Sequence, residues 1–433
     1  MPKPDNGPPR GTRDFLPEEV SRRERLISSL VAAYERFGFR RIDTPALEDI
    51  ARLTSSGEGE NEKLIYKVLR RGLDPVIERA ALDDLVDLGL RFDLTVPLSR
   101  FYANNRGRLP APFRAMQVGS VWRAERPQRG RYRQFTQCDI DTLGEATELA
   151  EAELLEATMS ALCDVGAGPV EARVNDRRLL FAVATAAGVE PGRAPAYLVR
   201  LDRLDRVGWE GVRAELEKQG FPGSVGAESE RIIGLLESTG SARELLDRAS
   251  DLLPHLDGAV LEGLDRTAAA TQRLCGEGGL DQASFRIDPT IVRGLGYYSG
   301  QIFELRHPGV SGSIAGGGRY DGLVGRFLGE GGDVPACGIS VGFERVVDLI
   351  SMPVPDLGVA LLYDAESPAE SVLAAARSIR GGGRRVALVP LRSNEGRQLR
   401  DLAGEGFTSA VRMVSGEAGP ELAISKSSQK ARG

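Results

Sequence analysis

The chain has few residues of the types that mark disulfide-rich or metal-binding proteins. Its 433 residues include only 4 cysteines and 2 histidines. The cysteines lie far apart and form no CxxC pair: Cys138, Cys163, Cys275 and Cys337. This spacing argues against a disulfide framework and against a structural zinc site. We therefore expect reduced thiols, a cytoplasmic location and no protein-ligated metal.

Long apolar runs and lysine are also scarce. No apolar segment approaches the length of a membrane span, and the opening MPKPDNGPPRGTRD has no apolar core of a signal peptide. Only six lysines accompany fifty arginines, and the formal net charge is −6. An acidic protein of this kind is a poor candidate for coating DNA. The composition predicts a globular protein with neither a membrane nor DNA as a partner.

Arginine is concentrated in one segment. Gln117–Asp141 reads QVGSVWRAERPQRGRYRQFTQCDID, and between Arg100 and Arg133 there are nine arginines and one acid, Glu125. Guanidinium groups suit phosphates, so a nucleotide or an RNA backbone is a natural ligand. From this segment alone, an arginine-rich hairpin exposed to solvent stays an open alternative.

The residue patterns predict a β-rich region, a helical block and a small terminal region. In the first we expect a helix at Glu18–Phe37, a strand at Phe39–Pro45 and a hairpin around the arginine-rich turn. A short strand at Leu90–Asp93 should precede the hairpin, and a helix at Glu145–Val165 should follow it. Helical periodicity from Arg177 to Ala283, including Glu228–Leu253, predicts an insertion within one β-rich domain. Strand patterns return at Ser284–Pro289, Gly296–Leu305 and Ser313–Ala315.

After a plausible linker at Met352–Asp356, strands and helices alternate. This alternation predicts a small α/β domain with a partly parallel sheet. The expected boundaries are residues 1–176 and 284–352 for the two parts of the core, 177–283 for the insertion, and 356–433 for the terminal domain.

Four segments together resemble one family. They are GTRDFLP (Gly11–Pro17), RFDLTVPLSR (Arg91–Arg100), IVRGLGYYSGQIFE (Ile291–Glu304), and the stretch from AGGGRYDGLV to CGISVGFER (Ala315–Arg345). With the arginine-rich segment, these resemble the histidyl-tRNA synthetases, a branch of the class II aminoacyl-tRNA synthetases. The resemblance covers nearly the whole chain. It implies an α/β (α+β) fold: an antiparallel sheet core flanked by helices, with a helical insertion and a small C-terminal α/β domain.

The resemblance implies that histidine is activated with ATP and Mg²⁺, and then passed to tRNA(His). In such enzymes fixed cations stabilise the charge that develops on the α-phosphate. Arg123 matches the arginine that grips the α-phosphate, Arg293 a second arginine found in histidine enzymes, and Arg345 the arginine on the γ-phosphate. For the adenine and the rest of ATP, the implied contacts are Glu125, Phe135 and Arg131.

For the amino acid, the resemblance implies a second group of residues. Asp93 and Thr95 correspond to positions near the α-ammonium group, and Gln137, Arg123 and Arg293 belong to the same pocket. An acid facing the imidazole can accept its N–H, and a site built on such bonds rejects analogues that lack the donor. The residues implied around the imidazole are Asp141, Tyr297, Tyr298 and Tyr320. The resemblance also implies a homodimer built on the first helix and strand.

Two departures from the family pattern bear on activity. Gly296 stands where many members have an aspartate, which raises the question of what supports Arg293. The C-terminal domain is shorter than the usual anticodon-binding module, with a net charge of only +2 over Asp356–Gly433, too weak a bias to indicate RNA contact.

Three functions stay open at this point. The first is an active histidine–tRNA ligase. The second is a non-catalytic paralogue, such as the regulatory subunit of ATP phosphoribosyltransferase or a sensor domain that binds uncharged tRNA. Such paralogues tend to lose the catalytic arginines that this chain keeps. The third is an enzyme that adenylates histidine for an acceptor other than tRNA.

Overall fold

A computed structural model describes residues 6–54, 61–72, 85–127, 130–238, 241–276, 279–294, 296–329, 332–351, 356–414 and 417–424. Arg129 and most of the expected linker lie outside these residues. Helices and strands mix throughout, and the α/β prediction is confirmed. None of the described helices is long and apolar enough to cross a membrane.

The helices and strands are numbered in chain order. The helices are α1 (Pro17–Arg36), α2 (Ile50–Thr54), α3 (Thr95–Asn105), α4 (Leu149–Asp164), α5 (Arg177–Ala186), α6 (Ala194–Leu201), α7 (Leu204–Lys218), α8 (Gly223–Glu237), α9 (Ala242–Leu252), α10 (Gly258–Gly276), α11 (Asp321–Leu328), α12 (Phe343–Leu349), α13 (Ala369–Gly381) and α14 (Glu395–Glu405). The strands are β1 (Arg40–Arg41), β2 (Leu47–Asp49), β3 (Lys67–Leu69), β4 (Val86–Leu90), β5 (Phe113–Trp122), β6 (Gln134–Leu143), β7 (Val170–Asp176), β8 (Ala283–Ile287), β9 (Gln301–Arg306), β10 (Ser313–Arg319), β11 (Ala336–Gly342), β12 (Gly358–Tyr363), β13 (Val386–Pro390), β14 (Phe407–Val414) and β15 (Glu417–Ala423).

An eight-stranded sheet organises the larger part of the chain, in the order β1-β5-β6-β11-β10-β9-β7-β8. Its centre is antiparallel: β6 pairs with β5 on one side and with β11 on the other. The β6–β11 register sets Asp141 opposite Gly338, and Asp139 opposite Ser340. Because successive side chains alternate between faces, Gln137, Asp139 and Asp141 all project from one face of this sheet, called the site face below.

A helical segment separates two neighbouring strands of this sheet. β7 and β8 pair in parallel, and the described residues between them form α5 to α10. Parallel neighbours need a long crossover connection, and this one is expanded into a set of packed helices. A smaller sheet, β2-β4-β3, lies earlier in the chain.

The chain divides into two compact units, Met1–Asp14 with Arg23–Ser351, and Phe15–Arg22 with Met352–Gly433. The second unit carries a four-stranded sheet, β13-β12-β14-β15, in which β12 is parallel to both of its neighbours. Alternate residues of β12 enter separate apolar clusters, Val359 and Leu361 in one, Ala360 and Leu362 in the other. Burial of apolar side chains on both faces is typical of parallel strands.

Several predicted elements have different bounds in the structure. The strand expected at Gly296–Leu305 begins only at Gln301, because the amides of Tyr297 and Tyr298 donate to the Gly294 carbonyl and form a turn. The strand expected at Leu90–Asp93 lies at Val86–Leu90.

Two further predictions were too long. The helix expected at Glu228–Leu253 is two helices, α8 and α9, and the Ser241 side chain caps the second by accepting from the Glu244 amide. The strand expected at Phe39–Pro45 shrinks to Arg40–Arg41. Beyond it, the Thr44 carbonyl accepts from the Arg91 guanidinium instead of from a neighbouring strand.

Candidate active site

A row of buried oxygens marks the centre of the site face. Gln137, Asp139 and Asp141 are 8%, 3% and 3% exposed. Each has one side-chain oxygen without a hydrogen-bond partner among the described residues, namely Gln137 Oε1, Asp139 Oδ1 and Asp141 Oδ2. A buried acceptor without a donor costs free energy, so such groups are rare in a folded protein and need an explanation. A ligand rich in N–H groups would satisfy all three.

Asp141 lies in a tightly fitted place. The Tyr320 hydroxyl donates to Asp141 Oδ1 at 2.6 Å. On the facing strand Gly338 leaves room for this carboxyl, since a Cβ there would lie 1.8 Å from the same oxygen. Burial raises the pKa of Asp141 to about 7, against the stabilising Tyr320 bond, and the nearby Asp93 charge raises it further.

A second carboxyl stands at the start of α3. Asp93 Oδ1 accepts from the Val96 amide at 3.1 Å, which holds the side chain at the helix N-terminus beside Thr95. Burial raises the pKa of Asp93 to about 6, while the bonds from this helix end and the Arg123 charge oppose the shift. Asp93, Asp141 and the adjacent Asp139 therefore form an acidic pocket.

Arg123 joins this pocket to the arginine-rich hairpin. Its Nε donates to the Phe92 carbonyl at 3.0 Å. Its guanidinium carbon lies 5.0 Å from the centre of the Phe135 ring, within cation–π range. Both side chains are only half-buried, so a planar ligand can reach the Phe135 ring.

Three tyrosines form one wall beside Asp141. The ring centres of Tyr297 and Tyr298 are 4.5 Å apart, and those of Tyr297 and Tyr320 are 6.3 Å apart. The tight turn depends on Gly294, which has φ +56 and where a Cβ would lie 1.8 Å from the Tyr298 ring. An aromatic wall next to a buried acid suits a flat ring with an N–H group.

Two arginines meet on one serine at the other end of the face. Arg293 Nη1 donates to Ser313 Oγ at 3.1 Å and to Glu304 Oε1 at 2.7 Å, whereas Arg345 Nη1 donates to the Ser313 carbonyl. Gly316 gives the Arg293 guanidinium its space, because a Cβ there would lie 2.4 Å from Nη1. With Gly296 in place of an acid, Glu304 is therefore the carboxylate that supports Arg293.

The arginines around Ser313 carry more positive charge than the nearby Glu304 carboxylate neutralises. Burial lowers the pKa of Arg345, and the positive charges of Arg293 and Arg131 lower it further, opposed by Glu304. Like charges that crowd one corner are stabilised when an anion binds between them. A polyphosphate fits this arrangement.

The hairpin residues are tied to each other and to the start of the chain. Arg131 Nε lies 3.1 Å from Glu125 Oε2, and the Arg131 side chain is 57% exposed. The Arg133 guanidinium is held by backbone carbonyls, including that of Glu125 at 3.0 Å. Arg131 is thus accessible to an anionic ligand, whereas Arg133 has a structural role.

The GTRD segment and the GFER segment meet at one carboxylate, that of Glu344. Glu344 accepts from Arg13 at 2.6 Å, from Arg23 at 2.7 Å and from the Thr136 amide at 3.1 Å. The GTRD segment, α1, β6 and the GFER segment are therefore fixed to one another next to the site.

The structure brings the residues expected from the sequence onto or beside one face. Sequence reasoning missed Asp139, Ser340 and Glu304. The alternation of Gln137, Asp139 and Asp141 carried a signal for the first, but nothing in the sequence marked the cross-strand partners. Among the described residues, no group of three or more His, Cys, Asp or Glu side chains is arranged to hold a metal ion.

The fold is shared with solved structures. It matches histidyl-tRNA synthetase from Nostoc sp. PCC 7120 with a TM-score of 0.75 and 27% identity, covering 97% of each chain. A Bacillus halodurans C protein described as an ATP phosphoribosyltransferase regulatory subunit/histidyl-tRNA synthetase shares the fold, with a TM-score of 0.74, 19% identity, and coverage of 95% of this chain and 98% of that one.

Sequence comparisons give the family. Residues 11–346 match the family model described as histidyl-tRNA synthetase. A histidine–tRNA ligase from Leifsonia xyli subsp. xyli (strain CTCB07) is 46% identical, covering 93% of this chain and 94% of its own length. One from Aeropyrum pernix (strain ATCC 700893 / DSM 11879 / JCM 9820 / NBRC 100138 / K1) is 41% identical, over 79% of this chain and 73% of its own. The chain belongs to the histidyl-tRNA synthetase family.

Proposed function

We propose that the chain is a histidine–tRNA ligase. In the first step a carboxylate oxygen of histidine bonds to the α-phosphorus of ATP, the bond to the β-phosphate oxygen breaks, and pyrophosphate leaves. In the second step the terminal ribose hydroxyl of tRNA(His) attacks the carbonyl carbon of histidyl-adenylate, and AMP leaves. Histidine, ATP with Mg²⁺, and tRNA(His) are the substrates.

The observation that carries this proposal is the pairing of two unlike subsites on one sheet face. At one end the guanidinium groups of Arg293 and Arg345 meet at Ser313. At the other, the buried carboxyls of Asp93, Asp139 and Asp141 couple electrostatically. The first suits phosphates, and the second suits an amino acid that carries an ammonium group and a ring N–H.

We assign ATP to the arginine end. Arg123 and Arg293 neutralise the α-phosphate as its charge grows in the transition state, and Arg345 holds the γ-phosphate. Phe135 stacks on the adenine, with Glu125 at its edge and Arg131 at the exposed phosphates. Mg²⁺ enters with the phosphates of ATP.

We assign histidine to the acidic end. The pocket between Asp93, Thr95 and Gln137 takes the α-ammonium group, which accounts for buried acceptors without donors. Asp141 accepts the imidazole N–H, and Tyr297, Tyr298 and Tyr320 enclose the ring. Amino acids without a ring N–H would leave Asp141 Oδ2 buried without a donor among the described residues, which provides specificity.

We also propose a cytoplasmic homodimer, since tRNA is the acceptor and the family motif in α1 and β1 suggests a two-fold contact. The second unit is proposed to assist tRNA binding in spite of its reduced size. Light scattering at micromolar concentration should give twice the chain mass of 46.6 kDa. A mass of one chain would contradict the dimer.

The test of function is histidine-dependent exchange of pyrophosphate into ATP, followed by aminoacylation of tRNA transcripts. We expect exchange with histidine and not with other amino acids. Arg293→Ala should reduce the exchange rate roughly a hundredfold or more, as loss of one donor to a developing oxyanion does. The matched control is Arg384→Ala, which breaks a comparable ion pair with Glu421 in the second unit and should leave exchange unchanged.

Each outcome separates the candidate functions. No exchange at millimolar histidine would favour a regulatory paralogue. Exchange without charging of tRNA(His) would favour a different acceptor. Near-normal turnover of Arg293→Ala would show that this arginine has only a structural role.

A further inference from the structure

A chain of side-chain hydrogen bonds crosses from β6 to β11 within the histidine pocket. Gln137 Nε2 donates to Ser340 Oγ at 2.8 Å and, at the longer distance of 3.4 Å, to Asp139 Oδ2. Ser340 faces Asp139 across the sheet. Asp139 belongs to none of the roles assigned above.

We propose that Asp139 is a specificity-determining positioning residue: together with Ser340 it accepts from the Gln137 NH₂ group and so orients the amide, whose oxygen then binds the amino group of the substrate. This inference rests on the proposed function, because it assigns a part to Asp139 within the same histidine pocket.

The direction of the chain follows from what each group can donate. The Gln137 NH₂ group is the donor to both partners, because the Asp139 carboxyl oxygen and the Ser340 hydroxyl oxygen accept from it. The amide is then fixed in one of its two possible orientations, with Oε1 pointing away from Ser340.

The unpaired side-chain oxygen of Gln137 indicates which group of the ligand it binds. Gln137 Oε1 is buried and has no donor within the described part of the chain, so a ligand N–H is needed to complete it. Asp141 and the tyrosine wall already suit the imidazole, four residues further along the same strand face. The remaining donor of histidine is its α-ammonium group, whose positive charge also suits the neighbouring Asp93 and Asp139.

Replacing Asp139 by asparagine should reverse the orientation of the Gln137 amide. The new NH₂ group can donate to Gln137 Oε1, which then turns away from the ligand. The Gln137 NH₂ group faces the ligand instead, where it meets the ammonium group donor to donor. The shape of residue 139 hardly changes, so loss of binding would report orientation and charge instead of packing.

The experiment measures binding to the full-length protein by calorimetry, with three ligands. Histidine carries all three groups, histamine lacks the carboxylate, and imidazolepropionate lacks the amino group. For Asp139→Asn we expect histidine and histamine to bind about tenfold to a hundredfold more weakly, the size of a lost bond to a charged group. Imidazolepropionate should change by less than about threefold.

Two further variants complete the design. Ser340→Ala removes the link without creating a donor, so it should weaken histidine and histamine less than Asp139→Asn does, and again spare imidazolepropionate. Asp251→Asn, an exposed aspartate on α9, is the matched control and should change no affinity. If Asp139→Asn does not fold, Ser340→Ala alone decides by the same ligand selectivity.

Three results would overturn the inference: equal weakening of all three ligands, unchanged histidine binding in Asp139→Asn, or equal affinity of wild type for ligands with and without the amino group. Failure of the proposed function is a separate result, because it is read from pyrophosphate exchange by the wild type. Selective loss of amino-group binding in Asp139→Asn would stand even if no exchange occurred.

Discussion

The four-stranded and eight-stranded sheets differ in the side chains that their central strands bury. On β12 of the four-stranded sheet, Val359 and Leu361 enter one apolar cluster, and Ala360 and Leu362 enter another. On β6 of the eight-stranded sheet, every second residue from Gln137 to Asp141 buries an oxygen for which the described residues supply no donor. The first strand is covered by apolar side chains on both faces, whereas the second has buried acceptors that the proposed ligand would satisfy.

Strand direction explains part of this contrast. β12 lies between parallel neighbours, and its clusters include Val372 and Ala376 of α13 on one side and Leu402 of α14 on the other. β6 has antiparallel neighbours, and an antiparallel sheet needs an apolar cover on one face only. Its other face is free to hold groups selected for binding at the expense of stability.

Two glycine substitutions, one beside the site and one in the second unit, should differ most in their effect on activity. Gly338→Ala places a methyl group in the space of the Asp141 carboxyl, where the built Cβ lies 1.8 Å from Oδ1. We expect histidine-dependent exchange to fall by on the order of a hundredfold or more, because misplacing a binding group by about 1 Å has effects of that size. The measurement is pyrophosphate exchange at saturating ATP.

The matched control is Gly404→Ala, on α14 in the second unit. A Cβ there meets nothing within 4 Å, and alanine is the better helix former. Exchange should be unchanged and stability slightly higher. Near-normal activity of Gly338→Ala would mean that Asp141 does not have to occupy its observed place.

A core substitution in the second unit should have the complementary effect. Leu361 is fully buried in the apolar cluster on one face of β12. Leu361→Ala should reduce the stability of this unit by about 2 to 5 kcal/mol, from lost burial and the cavity left behind. Urea unfolding or scanning calorimetry measures this loss of stability. Adenylation by the folded protein should be unchanged.

A parallel loss of adenylation in folded Leu361→Ala would break the comparison. It would show that the second unit supports the site face, and that the two sheets are not energetically independent.

The smallest predicted effect is the loss of folding stability that the buried Asp141 carboxyl causes in the ligand-free protein. Burial raises its pKa from 3.8 to about 7, so the folded protein holds a proton that the unfolded chain has released between these values. The stability contribution of this carboxyl is therefore present below about pH 4 and lost as pH rises through about 7. Asp141→Asn, which does not titrate, should match the wild type at low pH and exceed it at pH 8 by ~1 to 3 kcal/mol.

Thermal unfolding of the ligand-free proteins across this pH range measures the difference. Asp93 and Asp139 are electrostatically coupled to Asp141, so the difference between the two curves reports Asp141 together with this coupling. A variant less stable than the wild type at pH 8 would show that the ionised carboxyl is satisfied in the fold, contrary to its unpaired oxygen.

Sequence patterns predicted the fold where periodicity and local signals agree. The alternation on β6 and the α/β alternation around β12 correspond to strands and helices in the structure. Predictions were wrong where a side chain or a turn competes with regular structure. Gly294 closes a turn, so β9 begins later than predicted. Ser241 caps a second helix where the helical periodicity predicted one continuous helix.

The candidate site was predictable residue by residue, but its connections were not. Motif residues such as Arg293 and Asp141 are visible in the sequence. The partners that make them work, Glu304 for Arg293 and Ser340 for Gln137, depend on strand register, which a single sequence does not fix. For the same reason the alternation pointed to Asp139 without indicating its role.

The carboxylate of Glu344 has a consequence for how this protein is made. It pairs with Arg13 and Arg23, which precede it by 331 and 321 residues. A ribosome delivers both arginines long before it delivers their partner, so neither ion pair can form until residue 344 has been synthesised. The contacts that fix Arg13 and Arg23 beside β6 are therefore made late in translation, after the site strands themselves.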